Sequence, residues 1–141
     1  MHITQLTNAT TVALAAINDL LPDLSTSANP LTMERLQAIV SKAHCRLFLA
    51  EECGRTIGMF TLCATHHPCG DTVWLEDIVV AHSHQGRGIG RKLIEAAIEE
   101  ARLAYPTATL MLTSRPSRTA ANHIYSQLMD KKETNVYQLK P

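Results

Sequence analysis

The stretch Leu75–Ile94 constrains this chain more than any other. It reads Leu-Glu-Asp-Ile-Val-Val-Ala-His-Ser-His-Gln-Gly-Arg-Gly-Ile-Gly-Arg-Lys-Leu-Ile. Ile78-Val79-Val80 is an apolar strand. A short polar loop follows, then Gly86, Gly88 and Gly90, and beyond them Ile89, Leu93, Ile94, Ala97, Ile98 and Ala101 recur at helical spacing. A strand, a glycine turn and a helix start in that order make a cradle for an anion. Glycine lets the backbone approach a ligand closely, and the first N–H groups of a helix have no partner inside it. Those groups and the positive end of the helix dipole suit phosphate oxygens. A phosphorylated ligand is therefore expected at Gln85–Arg91, with Gly88 needed for the close approach of its backbone.

Three phosphate motifs compete for the turn. A P-loop needs Lys-Ser/Thr after its last glycine, and none follows Gly90. A dinucleotide fingerprint, Gly-x-Gly-x-x-Gly, would put its third glycine where Arg91 stands. The third pattern is Gln-x-x-Gly-x-Gly, read as Gln85, Gly88 and Gly90. It resembles the acyl-CoA signature of the GNAT superfamily of N-acetyltransferases. The bland reading is a glycine-rich connection without a ligand. Glycine weakens a helix start that ordinary caps would serve better, which counts against it.

At 141 residues the chain is expected to be one domain, residues 1–141, with a single core. A hydrophobic fraction of 45% and zero net charge fit an ordinary globular protein rather than a disordered one. They leave no basic footprint for nucleic acid. No apolar run approaches the roughly 20 residues of a membrane span, and no signal peptide is read at the N-terminus. Cys45, Cys53, Cys63 and Cys69 lack Cys-x-x-Cys spacing, so reduced thiols and a cytoplasmic location are expected. His66-His67-Pro68-Cys69 is read as a polar loop rather than a metal site. Adjacent histidines of an extended chain point to opposite sides, and no second cluster matches them. His82 and His84 fall in the loop before the glycine turn.

The remaining elements follow in order. His2–Gln5 is a short strand. Asn8 or Thr10 caps a helix through Val12, Ala15, Ile17 and Leu21 that Pro22 is expected to stop. Leu31–Ala43 is a second helix. Arg46–Glu51 and Thr56–Cys63 form a hairpin turning at Glu52-Cys53-Gly54-Arg55. Thr72–Val80 is the central strand, Gly88–Arg102 a helix with Arg91 on its outer face, and Ala108–Thr113 a strand parallel to the central one. Ser117 caps a last helix, Arg118–Leu128, and Glu133–Leu139 is a closing strand.

This order of elements is similar to the GNAT fold. The resemblance implies a mixed, mostly antiparallel α/β (α+β) sheet of six to seven strands. A central pair of parallel strands would be splayed, and about four helices would flank the sheet. The segment Ser114–Leu128 resembles the family's second motif, with Asn122 and Tyr125 matching its Asn and Tyr. Leu128-Met129-Asp130 departs from the family's Leu-Gly-Phe at that point. A seventh strand is expected to be missing or supplied by a partner, which suggests a homodimer.

The resemblance further implies acetyl-CoA as acyl-donor co-substrate and no metal. Ile78, Val79 and Val80 would face the pantetheine arm and the acetyl carbonyl, a form of strand addition. Gln85, Gly86, Arg87, Gly88, Ile89, Gly90 and Arg91 would hold the pyrophosphate. Asn122 would touch the distal part of the cofactor. Transfer to an amine needs a base, an oxyanion donor and an acid for the departing thiolate. The backbone N–H of Val79 or Val80 is the candidate donor and Tyr125 the candidate acid. Glu76 is favoured as base, with Asp77 or a water chain as alternatives. Adjacent strand residues point to opposite faces, so only one of Glu76 and Asp77 reaches the cleft unless a bulge intervenes. The chain thus reads as an N-acetyltransferase acting on a primary amine of a small molecule or of a protein or peptide. The alternative is a non-catalytic acyl-CoA-binding sensor or regulatory module, which would need neither Tyr125 nor a base.

Overall fold

In the computed structural model, which describes residues 1–141, five strands form one sheet in the order β1-β2-β3-β4-β5. They are β1 (His2–Gln5), β2 (Cys45–Glu52), β3 (Arg55–His67), β4 (Gly70–Val80) and β5 (Thr109–Met111). The helices are α1 (Thr11–Leu24), α2 (Met33–Val40), α3 (Ile89–Ala104) and α4 (Thr119–Leu128). All neighbouring strands are antiparallel except β4 and β5, which are parallel and joined through α3. A parallel pair needs such a crossover.

The mixed, mostly antiparallel sheet and its four helices agree with the sequence reading, but the strand count is lower. Glu133–Leu139 forms no strand, so the sheet has five strands rather than six or seven. The parallel pair consequently lies at one edge of the sheet instead of its centre. β5 spans only Thr109–Met111, not Ala108–Thr113, and offers its outer side as a very short ladder. Beyond α4, Val136, Tyr137 and Leu139 are 71%, 88% and 96% exposed, so this apolar run packs against nothing.

Strand alternation divides the interior between two faces. On one, Phe48, Phe60, Leu62, Val73 and Leu75 pack against Ile89, Leu93, Ala97 and Ala101 of α3. On the other, Leu47, Leu49, Met59 and Val79 meet Ala13, Ile17 and Leu20 of α1 and Leu36 of α2. Phe48 and Phe60 stack with centroids 4.7 Å apart. Arg46 lies over Phe48 and donates to Glu100 of α3 at 3.0 Å, tying that helix to the sheet.

Thr10 rather than Asn8 caps α1, its Oγ1 accepting from the Ala13 N–H at 3.1 Å. Pro22 does not stop α1, which continues to Leu24. So close to the C-terminal end, the missing proline N–H removes a single bond, and Ser25 N–H still reaches the Leu21 carbonyl at 2.9 Å. Asn18 clamps the next segment from both sides. Its Oδ1 accepts from Leu31 N–H at 2.7 Å, and its Nδ2 donates to the Leu31 carbonyl at 3.0 Å. Thr32 then caps α2, which is shorter than the Leu31–Ala43 span expected. β3 and β4 extend through the region read as a polar loop. His66 stands opposite Asp71 and its Nδ1 lies 2.9 Å from the carboxylate, leaving Pro68 and Cys69 as the turn.

Candidate functional site

The ladder between β4 and β5 ends at Trp74 and Met111. β4 continues to Val80, so Leu75–Val80 has no strand on that side. This open edge leads directly into the glycine turn. Gln85 Nε2 donates to the Val80 carbonyl at 3.0 Å and folds the loop back onto the strand. A single 3-10 turn, His82–His84, lies between them, and His82 N–H donates to Asp23 of α1 at 2.8 Å.

Gly86 and Gly88 both have φ of 75°. Gly88 is the N-cap of α3 and makes no side-chain cap. An L side chain at Gly88 would be strained by the backbone alone, so this glycine is needed by the fold as well as by any ligand. That corrects the view that close approach is its only requirement. Gly90 is different. It lies in the first turn of α3, and a Cβ there would meet Ile124 Cδ1 and Val80 Cγ2 at 4.0 Å, ordinary contacts. The first intrahelical bond from this turn is Lys92 N–H to the Gly88 carbonyl, at 3.3 Å. The N–H groups of Ile89, Gly90 and Arg91 therefore stand free of the helix ladder. Ile89 itself is buried in the α3-face core, so it can offer a ligand only its backbone.

The two arginines of the turn are held by their own chain. Arg87 donates to Glu52 of β2 at 2.9 Å, and this bond holds the Glu52 carboxyl below its ordinary range. Arg91 donates to Gln127 of α4 at 2.8 Å and lies 3.6 Å from Glu95. Arg91 thus bridges α3 to α4 in addition to pairing with Glu95 along its own helix. These bonds fix the turn from both sides and leave its backbone N–H groups, together with Arg91 Nη1, as unengaged donors.

The carboxylates are arranged by a β-bulge. Met59 pairs with Val79 and Thr61 with Glu76, so Asp77 and Ile78 together oppose Phe60. Asp77 has φ of 53°, a conformation that Asp and Asn tolerate better than most residues. The extra residue inverts the alternation. Val73 and Leu75 face α3 before it, whereas Ile78 and Val80 face α3 after it and Val79 turns to the α1/α2 side. Glu76 shares a face with its cross-strand partner Thr61. Thr61 Oγ1 donates to Asp77 Oδ2 at 3.2 Å, which brings the second carboxylate to the same side. Burial, and then the Asp77 charge, push the Glu76 carboxyl above its ordinary range. The sequence signal for this was two adjacent charged residues inside an otherwise apolar strand. Thr61 went unnoticed because nothing in its own neighbourhood marks it.

Tyr125 is 9% exposed on α4, and burial raises its hydroxyl above the ordinary phenol value, with nearby Arg118 opposing the shift. The Gly90–Ile124 approach and the Arg91–Gln127 bond hold α4 beside the start of α3. The unpaired buried polar atoms are Arg46 Nη1, Arg91 Nη1 and Ser114 Oγ. Asn122 Nδ2 donates to the Arg115 carbonyl at 2.9 Å, so its amide closes the loop before α4. Arg118 rather than Ser117 precedes that helix, without a side-chain cap. No group of three or more His, Cys, Asp or Glu side chains is placed to hold a metal ion. No helix is long and apolar enough to cross a membrane.

A family model described as "Acetyltransferase (GNAT) family" matches residues 14–129. No curated protein matches the chain by sequence. Among solved structures, the chain is similar to a provisionally assigned acetyltransferase of Agrobacterium tumefaciens str. C58, with a TM-score of 0.85, 20% identity and 100% of both chains covered. It is similar to a ribosomal-protein-alanine N-acetyltransferase of Brucella melitensis biovar Abortus 2308, with a TM-score of 0.77, 16% identity and 99% of both chains covered. It is also similar to an aminoglycoside antibiotic 6'-N-acetyltransferase of Acinetobacter haemolyticus, with a TM-score of 0.76 and 17% identity over 100% of this chain and 99% of that one. At these identities the likeness is one of fold.

Proposed function

The chain belongs to the GNAT acetyltransferase family, and from that premise we propose that it transfers the acetyl group of acetyl-CoA directly to a primary amine. The acceptor is a small molecule, or a protein or peptide. The observation that carries this reading is the open edge Leu75–Val80, which runs into the free N–H groups at the start of α3. A pantetheine arm carries amides that can bond such an edge as an added strand does, and a pyrophosphate suits the helix start. Acetyl-CoA supplies the activated thioester carbonyl.

The residues of the chain then divide the work. The Val79 carbonyl lies on the β3 side, close against Gly58, while the Val80 carbonyl is held by Gln85. Successive residues of a strand direct their backbone groups to alternate edges, so the Val80 N–H, not that of Val79, faces the open side. It is the better oxyanion donor. Glu76 takes the proton of the attacking amine, directly or through water. Its raised pKa makes it a better acceptor than an ordinary carboxylate. Tyr125 donates its proton to the departing thiolate, and its raised pKa keeps it protonated at neutral pH. Asn122 shapes the loop before α4 through Nδ2 and offers its Oδ1 to the distal part of the cofactor. Residues 1–141 form one domain of a cytoplasmic enzyme, and the open β5 edge favours a homodimer.

The test is release of free thiol from acetyl-CoA across a broad amine panel. The solved relatives make aminoglycosides and peptides with N-terminal alanine sensible members of it. Acceptor-dependent thiol release with an acetylated amine product supports transfer. Saturable acetyl-CoA binding with no thiol release on any amine would favour the non-catalytic acyl-CoA-binding module.

A further inference from the structure

Cys45 of β2 and Cys63 of β3 are direct cross-strand partners, and their Sγ atoms lie 3.1 Å apart. The backbone around them fixes which kind of pair they form. The Ala64 N–H donates to the His44 carbonyl at 2.8 Å, and the Cys45 N–H turns away to the Lys42 carbonyl at 3.1 Å. Cys45 and Cys63 therefore occupy a non-hydrogen-bonded site, where opposed Cα atoms are about 4.5 Å apart and side chains come closest. That spacing lies within the range a disulfide spans. Both thiols are partly buried, whereas Cys53 and Cys69 are exposed in the two hairpin turns. Cys63 is also two residues from Thr61, on the face that carries Glu76 and Asp77.

We infer that Cys45 and Cys63 are a reversible dithiol–disulfide site, oxidised by a small disulfide of the glutathione class and closed without rearrangement of the sheet. Burial, followed by the Cys45 thiol and the Asp77 and Glu76 charges, pushes the Cys63 thiol up to about 12. Cys63 is thus protonated at neutral pH and serves as the second, resolving group. The Cys45 thiolate attacks one sulfur of oxidised glutathione, forming a mixed disulfide and expelling one glutathione thiolate. The Cys63 sulfur then attacks Cys45 Sγ, forming the Cys45–Cys63 bond and expelling the second glutathione. The Cys63 proton passes to solvent or to that leaving thiolate. Two protein thiols are oxidised and one small disulfide is reduced to two thiols. Because the resolving thiol must ionise, closure accelerates as pH rises.

The experiment uses the full chain with Cys53→Ser and Cys69→Ser, which leaves only the pair. The protein is treated with oxidised glutathione at pH 7 and pH 9, quenched with acid, alkylated under denaturing conditions and weighed. The expected product has lost two hydrogens, takes up no alkylating agent, carries no glutathione and forms faster at pH 9. Its thermal unfolding midpoint is higher than that of the reduced form, and dithiothreitol restores both thiols. Peptide mapping should find a Cys45–Cys63 crosslink in the unsubstituted chain as well. Persistent alkylation of both cysteines, stable glutathione adducts on either, or preferential bridging to Cys53 or Cys69 in the native chain would each overturn the assignment. None of these readouts depends on acetyl transfer, so the site stands or falls apart from the proposed activity.

Discussion

Replacing Gly90 by Ala should make the protein more stable and its cofactor binding weaker. The added methyl finds ordinary contacts at 4.0 Å with Ile124 Cδ1 and Val80 Cγ2, and Gly90 does not adopt a positive φ. Glycine inside a helix is less favourable than alanine by up to about 1 kcal/mol, and the gain is smaller in a first turn. For a chain of this length, 1 kcal/mol corresponds to roughly 3–5 °C in Tm. A rise of a few degrees is therefore expected. The same methyl sits in the first turn of α3, next to the free N–H groups of Gly90 and Arg91 that an anion would approach. Losing one charge-assisted hydrogen bond there costs about 1.5–3 kcal/mol, or about 10- to 150-fold in Kd.

Differential scanning calorimetry and titration of acetyl-CoA measure the two effects on one sample. Unchanged affinity in a Gly90→Ala protein with raised Tm would refute the cradle, since the fold would be intact and the approach obstructed. Gly88→Ala is the informative contrast. Its φ of 75° makes an L residue cost about 1–2 kcal/mol, so stability and binding should fall together there.

Tyr125→Phe keeps the buried ring and removes the hydroxyl, so stability should change by no more than about 1 kcal/mol while turnover falls about 10²–10⁴-fold and acetyl-CoA affinity holds; rapid-mix kinetics showing near-wild-type chemistry would return the residue to a packing role. Asp77→Asn suits the φ of 53° and removes a charge that raises Glu76. A base works only when ionised, so activity drops as pH falls through its pKa. Lowering that pKa should move the acid limb of kcat/KM to lower pH, and an unmoved limb would exclude Glu76 as the base. The short β5 edge and the exposed Val136, Tyr137 and Leu139 lead us to expect a dimer mass by light scattering at high micromolar concentration, and a monomer mass would rule it out.

Elements governed by local rules were legible in the sequence. The β2–β3 turn followed from Cys53-Gly54, and the α3 face followed from residues three and four apart, of which all but the half-buried Ile98 are fully buried. Boundaries set by distant partners were not. Pro22 reads as a stop, yet the cost of one missing bond near a helix end is small against the burial of Ile17 and Leu20. Val136–Leu139 has the composition of a strand, but composition cannot supply a partner, and β5 is too short to offer one. At the candidate site, the contiguous turn Gln85–Arg91 was visible as a unit. What Arg87 and Arg91 bind was not, because Glu52 and Gln127 are remote in sequence. Asn122 matched a motif position, whereas its amide is engaged by the Arg115 carbonyl.

The bulge at Asp77 unites features that would otherwise look separate. A bulged strand bends and twists more than its neighbours. The pairing of β4 with β5 has already ended at Trp74 as β4 approaches the bulge, and the six residues beyond run without a partner on that side to the glycine turn. The same extra residue brings Ile78 and Val80 to the α3 core and Asp77 beside Glu76. Were β4 regular, Glu76 and Asp77 would point to opposite faces, and the residues after Asp77 would exchange faces as well. Val79 would then enter the α3 side, and Ile78 and Val80 would be lost from it. The register of apolar burial on both faces therefore holds the bulge in place, since removing it would misplace every residue from Ile78 to Val80. The placement of Asp77 beside the proposed base is thus secured by hydrophobic packing of the residues that follow it, with the Thr61–Asp77 hydrogen bond fixing only the local side-chain geometry.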